Sequence, residues 1–205
     1  MRNGEGGRDS GRTFDEGRPA RARIDQVNEQ AILRQAHRGD IAAMQRVRAA
    51  VRENRLVSRR IGDEEVQRHL EVLGRGWVIE VEHVSPGRPR TAVDSRGGRR
   101  RSGPGRTHRE VVAFAIADAT VGHVWALFVD PRHERRGYGR RLHGAMVGWL
   151  WSQGLQHLWL ATQAGTRAER FYRAAGWRDA GTTPHGELAF RLDRPPGDTA
   201  GGQAG

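Results

Sequence analysis

Two stretches of this chain hold residue types at spacings able to do chemistry. The first is Phe128-Val129-Asp130-Pro131-Arg132-His133-Glu134-Arg135-Arg136-Gly137-Tyr138-Gly139-Arg140-Arg141. An apolar run, Val124 to Val129, stops at a proline, passes a basic glycine-containing turn and enters an amphipathic run from Leu142 to Trp151. Strand, glycine turn and helix start in that order make an anion cradle. The first amides of a helix have no intrahelical partner, and the helix dipole adds positive potential there. Glycine lets the backbone take positive φ and approach a bound group closely. Arg135, Arg136, Arg140 and Arg141 add charge that suits an anion. Gly-x-Gly alone suits an ordinary connection equally well. The second stretch, Ala168-Glu169-Arg170-Phe171-Tyr172-Arg173-Ala174-Ala175-Gly176-Trp177, supplies the context, with a phenol on a short helix.

Composition limits what else the chain does. Of 205 residues, 36% are hydrophobic and mean hydropathy is -0.74, so part of the chain is expected to lie outside a packed core. The net charge of +11 is concentrated: residues 85–109 hold eight arginines against one aspartate. Nucleic-acid-binding domains spread their basic face over folded elements, so this placement argues against nucleic acid as the main partner. There is no cysteine, which excludes disulfides, thiolate zinc sites and a cysteine nucleophile. No apolar run approaches the length of a membrane span and the N-terminus has no apolar signal core, so a cytoplasmic location is expected.

The elements that must position the two stretches follow in order. Residues 1–25 read as a disordered tail and 194–205 as a flexible one, with one domain over 26–193. Ala31 to Ala36 suits a first strand. Asp40 is placed to cap a helix with apolar positions Ile41, Met44, Val47 and Val51, running to about Asn54. Asp63 is placed to cap a second helix from Glu64 to Leu73, which Gly74 and Gly76 end. Trp77 to Glu82 and Val111 to Ala117 are strands, separated by a Gly/Arg/Pro-rich insertion at about 85–109. After the glycine-turn helix come a strand, Leu155 to Ala161, and a helix, Arg167 to Ala174, capped by Thr166. A strand or loop begins at Trp177, and a last strand covers Glu187 to Leu192. The order β-α-α-β-β-β-α-β-α-β-β predicts a single α/β domain with about four helices and a mixed, mostly antiparallel sheet.

With both stretches in place, the chain resembles the GNAT superfamily of N-acetyltransferases over roughly residues 30–193. Glu134-Arg135-Arg136-Gly137-Tyr138-Gly139 occupies the family's Gln/Arg-x-x-Gly-x-Gly/Ala turn, and Ala168 to Trp177 matches its Ala-x-x-Phe-Tyr-x-x-x-Gly-Phe/Trp segment. The resemblance implies a sheet splayed at the cofactor site and acetyl-CoA as the acetyl-donating cosubstrate, with no metal. It places the pyrophosphate at Arg135, Arg136, Gly137, Tyr138, Gly139 and Arg140. It places the pantetheine arm along Leu127, Phe128 and Val129, with an amide near Phe128 or Val129 facing the thioester carbonyl. Tyr172 matches the tyrosine that protonates the leaving thiolate. Arg52-Glu53-Asn54-Arg55-Leu56 resembles a segment of some members, so Glu53 and Asn54 are expected at the acceptor site. The implied reaction is direct attack by a primary amine, on a small molecule or a protein.

The chain departs from the family in three ways. Glu134 stands where Gln or Arg is usual, Gly165 or Thr166 stands where an asparagine often precedes the Ala-x-x-Phe-Tyr segment, and no strand glutamate marks the general base, which leaves His123, Glu80, Glu82, Glu110, Glu187 or a water chain as candidates. Two other readings follow from these departures and from the insertion: a non-catalytic coenzyme A or acyl-CoA sensor, and a nucleic-acid-associated protein acting through the arginine-rich segment. Open sheet edges permit a homodimer.

Overall fold

The structure, a computed structural model, describes residues 30–51, 61–84 and 107–196. Its seven strands are β1 (Ala31–Gln35), β2 (Gly74–Val84), β3 (Thr107–Asp118), β4 (His123–Val129), β5 (His157–Thr162), β6 (Arg178–Thr182) and β7 (Leu188–Asp193). They form one open sheet in the order β1-β2-β3-β4-β5-β7-β6. Every neighbouring pair is antiparallel except β4–β5. Four helices, α1 (Ile41–Ala50), α2 (Asp63–Arg68), α3 (Tyr138–Ser152) and α4 (Arg167–Ala174), cover the two faces. The single α/β domain with a mixed sheet is therefore as expected.

The helix periods decide which face each helix covers. Leu142, Met146 and Leu150 recur every fourth residue of α3 and are fully buried against Ile79, Ala113 and Leu160. Ile41, Met44 and Val47 of α1 join Val66 of α2 on the opposite face, over Val78, Phe114 and Ile116. β3 lies between both helix layers, and its run from Val111 to Asp118 is buried throughout.

The sheet parts between β4 and β5. These parallel strands share a single register pair, His123 with Trp159, where Trp159 N–H donates to Gly122 O at 2.9 Å. Beyond that rung they diverge. A β-bulge at Trp125 bends β4 at this point, since Ile116 pairs with Ala126 but Ala117 pairs with Val124. Packing records the same shift: Trp125 and Ala126 both face the α1 side, whereas Val124 and Leu127 face α3.

Several boundaries differ from the sequence reading. α1 ends at Ala50, with Val51 already extended. Asp40 makes no side-chain cap to α1. Its carboxylate accepts instead from His37 N–H at 2.9 Å and from Arg34 at 2.7 and 2.8 Å, closing the 3-10 turn Arg38–Asp40 onto β1. Gly62, not Asp63, stands at the N-cap of α2, and the helix widens into a π-turn over His69–Leu73. Gly74 stands at the C-cap of that π-turn, as expected, and is also the first residue of β2, whereas Gly76 is a strand residue. A Cβ on Gly74 would lie 1.8 Å from Ala117 O, and one on Gly76 would lie 2.3 Å from Leu70 Cδ2. Gly74 is small because β3 passes so closely, and Gly76 because the π-turn does. Thr107 to Arg109, read as part of the insertion, belong to β3, while 85–106 lie outside the described residues. No helix among the described residues is long and apolar enough to cross a membrane.

Candidate active site

The gap between β4 and β5 opens into a cavity of about 1000 Å³, floored by the ends of both strands and walled by α1, α4 and the start of α3. Leu127, Phe128 and Val129 all line it. Their backbones differ, however. Asp130 N–H donates to Val112 O of β3 at 2.8 Å. By the two-residue period of a strand, Phe128 also turns its amide to β3, and Leu127 and Val129 turn theirs to the open gap. The side chains reverse this order: Phe128 packs on Phe114, with ring centroids 5.3 Å apart, on the α1 side.

The turn after β4 is shaped by four residues. Asp130 caps the 3-10 turn Pro131–His133 by accepting from Arg132 N–H at 2.9 Å. Arg135 has φ 61, the only non-glycine at positive φ among the described residues. Such a conformation costs of order 1 kcal/mol and tends to persist at functional sites. Gly137 follows at φ 82 as the N-cap of α3. A Cβ there would meet nothing within 4 Å, so glycine serves the backbone angle, not the space. No side chain caps this helix end, and the first intrahelical bond runs from Arg141 N–H to Gly137 O at 3.1 Å. The amides of Tyr138, Gly139 and Arg140 thus have no helical partner, which is the geometry that takes a phosphate.

Arg135, Gly137, Tyr138, Gly139 and Arg140 line the cavity, and Arg136 does not. The Tyr138 ring is buried in the core beneath α3, so only its backbone is offered. Glu134, the departure from the family turn, is neutralised across the mouth of the cavity. Arg167 Nη1, from the first turn of α4, donates to Glu134 Oε2.

Tyr172 comes to the same cavity from α4. Thr166 Oγ1 caps this helix by accepting from Glu169 N–H at 3.2 Å, as the sequence predicts. The tyrosine ring is 6% exposed and stands edge-on to Phe171 and Trp177, with centroids 5.3 and 5.6 Å away. Burial pushes its pKa up, so the phenol keeps its proton over the whole physiological range. Nearby, Trp177 Nε1–H donates to His143 Nε2 at 2.9 Å. An indole nitrogen only donates, so His143 is the neutral imidazole, and burial lowers its pKa accordingly.

The base candidates separate clearly. His123 sits at the closed rung, stacked on Trp159 with centroids 3.9 Å apart, and burial pushes its pKa down to about 4. Glu80 is held by Arg34 at 2.6 Å, and Glu110 by Arg132 at 2.8 Å. Glu82 is not among the cavity's lining residues; Glu187, just before β7, is, with His185 of the same loop. Glu53 and Asn54 lie outside the described residues. Of the tryptophans, Trp77, Trp151 and Trp177 are core, Trp125 lines the cavity and Trp159 is partly exposed. The clasp from Arg167 was missed in the sequence because no spacing rule links residues 33 apart, and the positive φ at Arg135 has no signature in residue type.

A splayed sheet with an uncapped glycine turn at the gap and a buried tyrosine opposite is a GNAT-like arrangement. Residues 104–177 match the acetyltransferase (GNAT) family. Over those residues the chain is similar to the GNAT acetyltransferases.

Its relatives carry known activities. It is 26% identical over 103 residues to the [ribosomal protein bS18]-alanine N-acetyltransferase of Haemophilus ducreyi, a match spanning 49% of this chain and 71% of that one. The crystal structure of the ribosomal-protein-S18-alanine N-acetyltransferase from Escherichia coli superposes with a TM-score of 0.52 at 16% identity, covering 79% of this chain and 91% of that one. The PaiA N-acetyltransferase from Thermoplasma acidophilum, solved in complex with coenzyme A, superposes with a TM-score of 0.59 at 10% identity, covering 80% and 99%.

Proposed function

We propose that this enzyme transfers the acetyl group of acetyl-CoA directly to a primary amine, with a protein α-amine as the favoured acceptor. The observation that supports this best is the meeting of Val129, the Gly137 turn and Tyr172 around one cavity. Residues of the described chain fit the donor. The amides of Tyr138, Gly139 and Arg140 and the guanidinium of Arg135 suit a pyrophosphate, with Arg136 and Arg140 adding positive potential. The outward amides of Leu127 and Val129 suit a pantetheine arm that pairs as an added strand, and Val129 is the one nearest the turn. Bound acetyl-CoA supplies an activated thioester.

The chain supplies orientation and protons. The Tyr172 hydroxyl, kept protonated by burial, gives its proton to the departing sulfur. Glu187 receives the proton of the incoming ammonium, either directly or through His185. Glu134 faces Arg167 and so does not repel the phosphates. The protein acceptor follows the relatives that acetylate a ribosomal-protein alanine, and a cytoplasmic location fits such an acceptor.

Calorimetry with acetyl-CoA, followed by thiol release on peptides with free alanine N-termini, tests the assignment. Micromolar binding and release that depends on an unblocked α-amine are expected. Binding without release on any amine would establish the sensor instead, and no binding would end both readings.

A further inference from the structure

Three side chains converge where the β2–β3 hairpin passes the 3-10 turn Pro131–His133. His83 on β2, Glu110 on β3 and His133 each offer one ligand atom, and these atoms all lie within 4.8 Å of one another. The register explains the meeting. Val81 pairs with Glu110, so His83 stands one diagonal step from that glutamate on the same face of the hairpin. The turn is pinned beside them, since Asp130 N–H donates to Val112 O and His133 N–H to Asp130 O, both at 2.8 Å.

The chemistry of the cluster is that of a cation site. His83 Nε2 stands 3.2 Å from Glu110 Oε2, yet it is buried and makes no hydrogen bond of acceptable angle. A buried imidazole nitrogen in that position is costly unless something completes it. Glu110 is already oriented from outside: its Oε1 accepts from Arg132 Nη2 at 2.8 Å, and Arg132 is held in turn by Asp130 at 2.8 Å. This leaves Oε2 for the inner side, which is how outer-shell partners fix a ligating carboxylate.

We propose that His83, Glu110 and His133 bind a divalent transition-metal ion of the zinc class, which fastens the β2–β3 hairpin to the turn that leads into the donor site. Two imidazoles and one carboxylate are a three-residue zinc set, with water completing the tetrahedron. Magnesium and calcium favour all-oxygen shells and are disfavoured here. Metal–ligand distances of about 2.0–2.2 Å put tetrahedral ligands roughly 3.3 Å apart. The His83–Glu110 separation of 3.2 Å already meets this, and small side-chain rotations close the rest. The proposal does not depend on the acyl-transfer assignment.

The test is titration of the chelator-treated full chain with Zn²⁺ by calorimetry. One ion per chain with Kd below about 10 μM is expected, with a rise in Tm. His83→Gln and Glu110→Gln should each weaken binding at least about tenfold, while His157→Gln, a change of the exposed residue at the start of β5, should not. Co²⁺ added to the unsubstituted chain should give the visible absorption of a four- or five-coordinate site, which keeps the test valid if a variant misfolds. No saturable binding below about 100 μM, undiminished binding in His83→Gln, or a six-coordinate cobalt spectrum would each overturn the site and leave only an ion pair of His83 with Glu110.

Discussion

Tyr172 lines the cavity, and burial keeps its phenol protonated, which is the state a thiolate-protonating acid starts from. Tyr172→Phe should keep acetyl-CoA affinity within about twofold and lower kcat by about 100-fold, as loss of a general acid does; calorimetry and thiol release read the two separately. Its neighbour His143 makes a stability prediction. Folding lowers the His143 pKa below its ordinary 6.5 because the ring is buried, so the folded chain binds fewer protons than the unfolded one. That stability is fully present above pH 6.5 and is lost as pH falls toward the lowered value. Denaturant midpoints measured from about pH 7 to 5 should fall more steeply in the wild type than in His143→Gln. At this scale the sequence showed the residues but not their partners. The Ala-x-x-Phe-Tyr pattern marked Tyr172, whereas nothing in the chain announced that Trp177 would hold His143 neutral, a contact between residues 34 apart.

Elements carry the departures from the family pattern. The loop after β4 and the first turn of α4 are clasped by Glu134 and Arg167 across the cavity mouth. Arg167→Ala would leave the carboxylate unopposed beside the glycine turn and should raise the Kd for coenzyme A about threefold, a surface-scale effect. Adding Glu134→Gln should restore the affinity, and the difference should shrink at high salt. The close approach of β2 to β3 at Gly74 is a stability feature. Gly74→Ala would drive a methyl into Ala117 O, where backbone has to move, and should cost about 2–3 kcal/mol in chemical denaturation. Helix periods made α3 and α4 legible, and alternation made β7 legible, because each buries one face. The last turn of α1 and the capping of both helices were not legible. Asp40 and Asp63 both have the residue type of a cap, but Asp40 is taken by Arg34 and Asp63 sits one residue inside the helix. Tertiary pairing, not propensity, set those boundaries.

On the scale of the whole molecule, the sheet is supported from both sides, and α3 is the longest support. Leu142 is fully buried at its centre. Leu142→Ala should lower unfolding free energy by about 3 kcal/mol, measured in urea. The strand sequence was readable as an order of elements, but the single rung between β4 and β5 was not, because pairing across a parallel join leaves no local pattern in either strand. That rung has a consequence for the empty protein. β1 to β4 form one plate and β5 to β7 another, joined in the sheet only by His123 with Trp159. The amides of Leu127 and Val129 are therefore left like those of an outer strand, although they lie in the middle of the sheet. Without ligand they should exchange their protons with solvent far faster than the amide of Phe128, which lies between them. A molecule laid in the gap would slow that exchange and make the two plates respond to heat as one body.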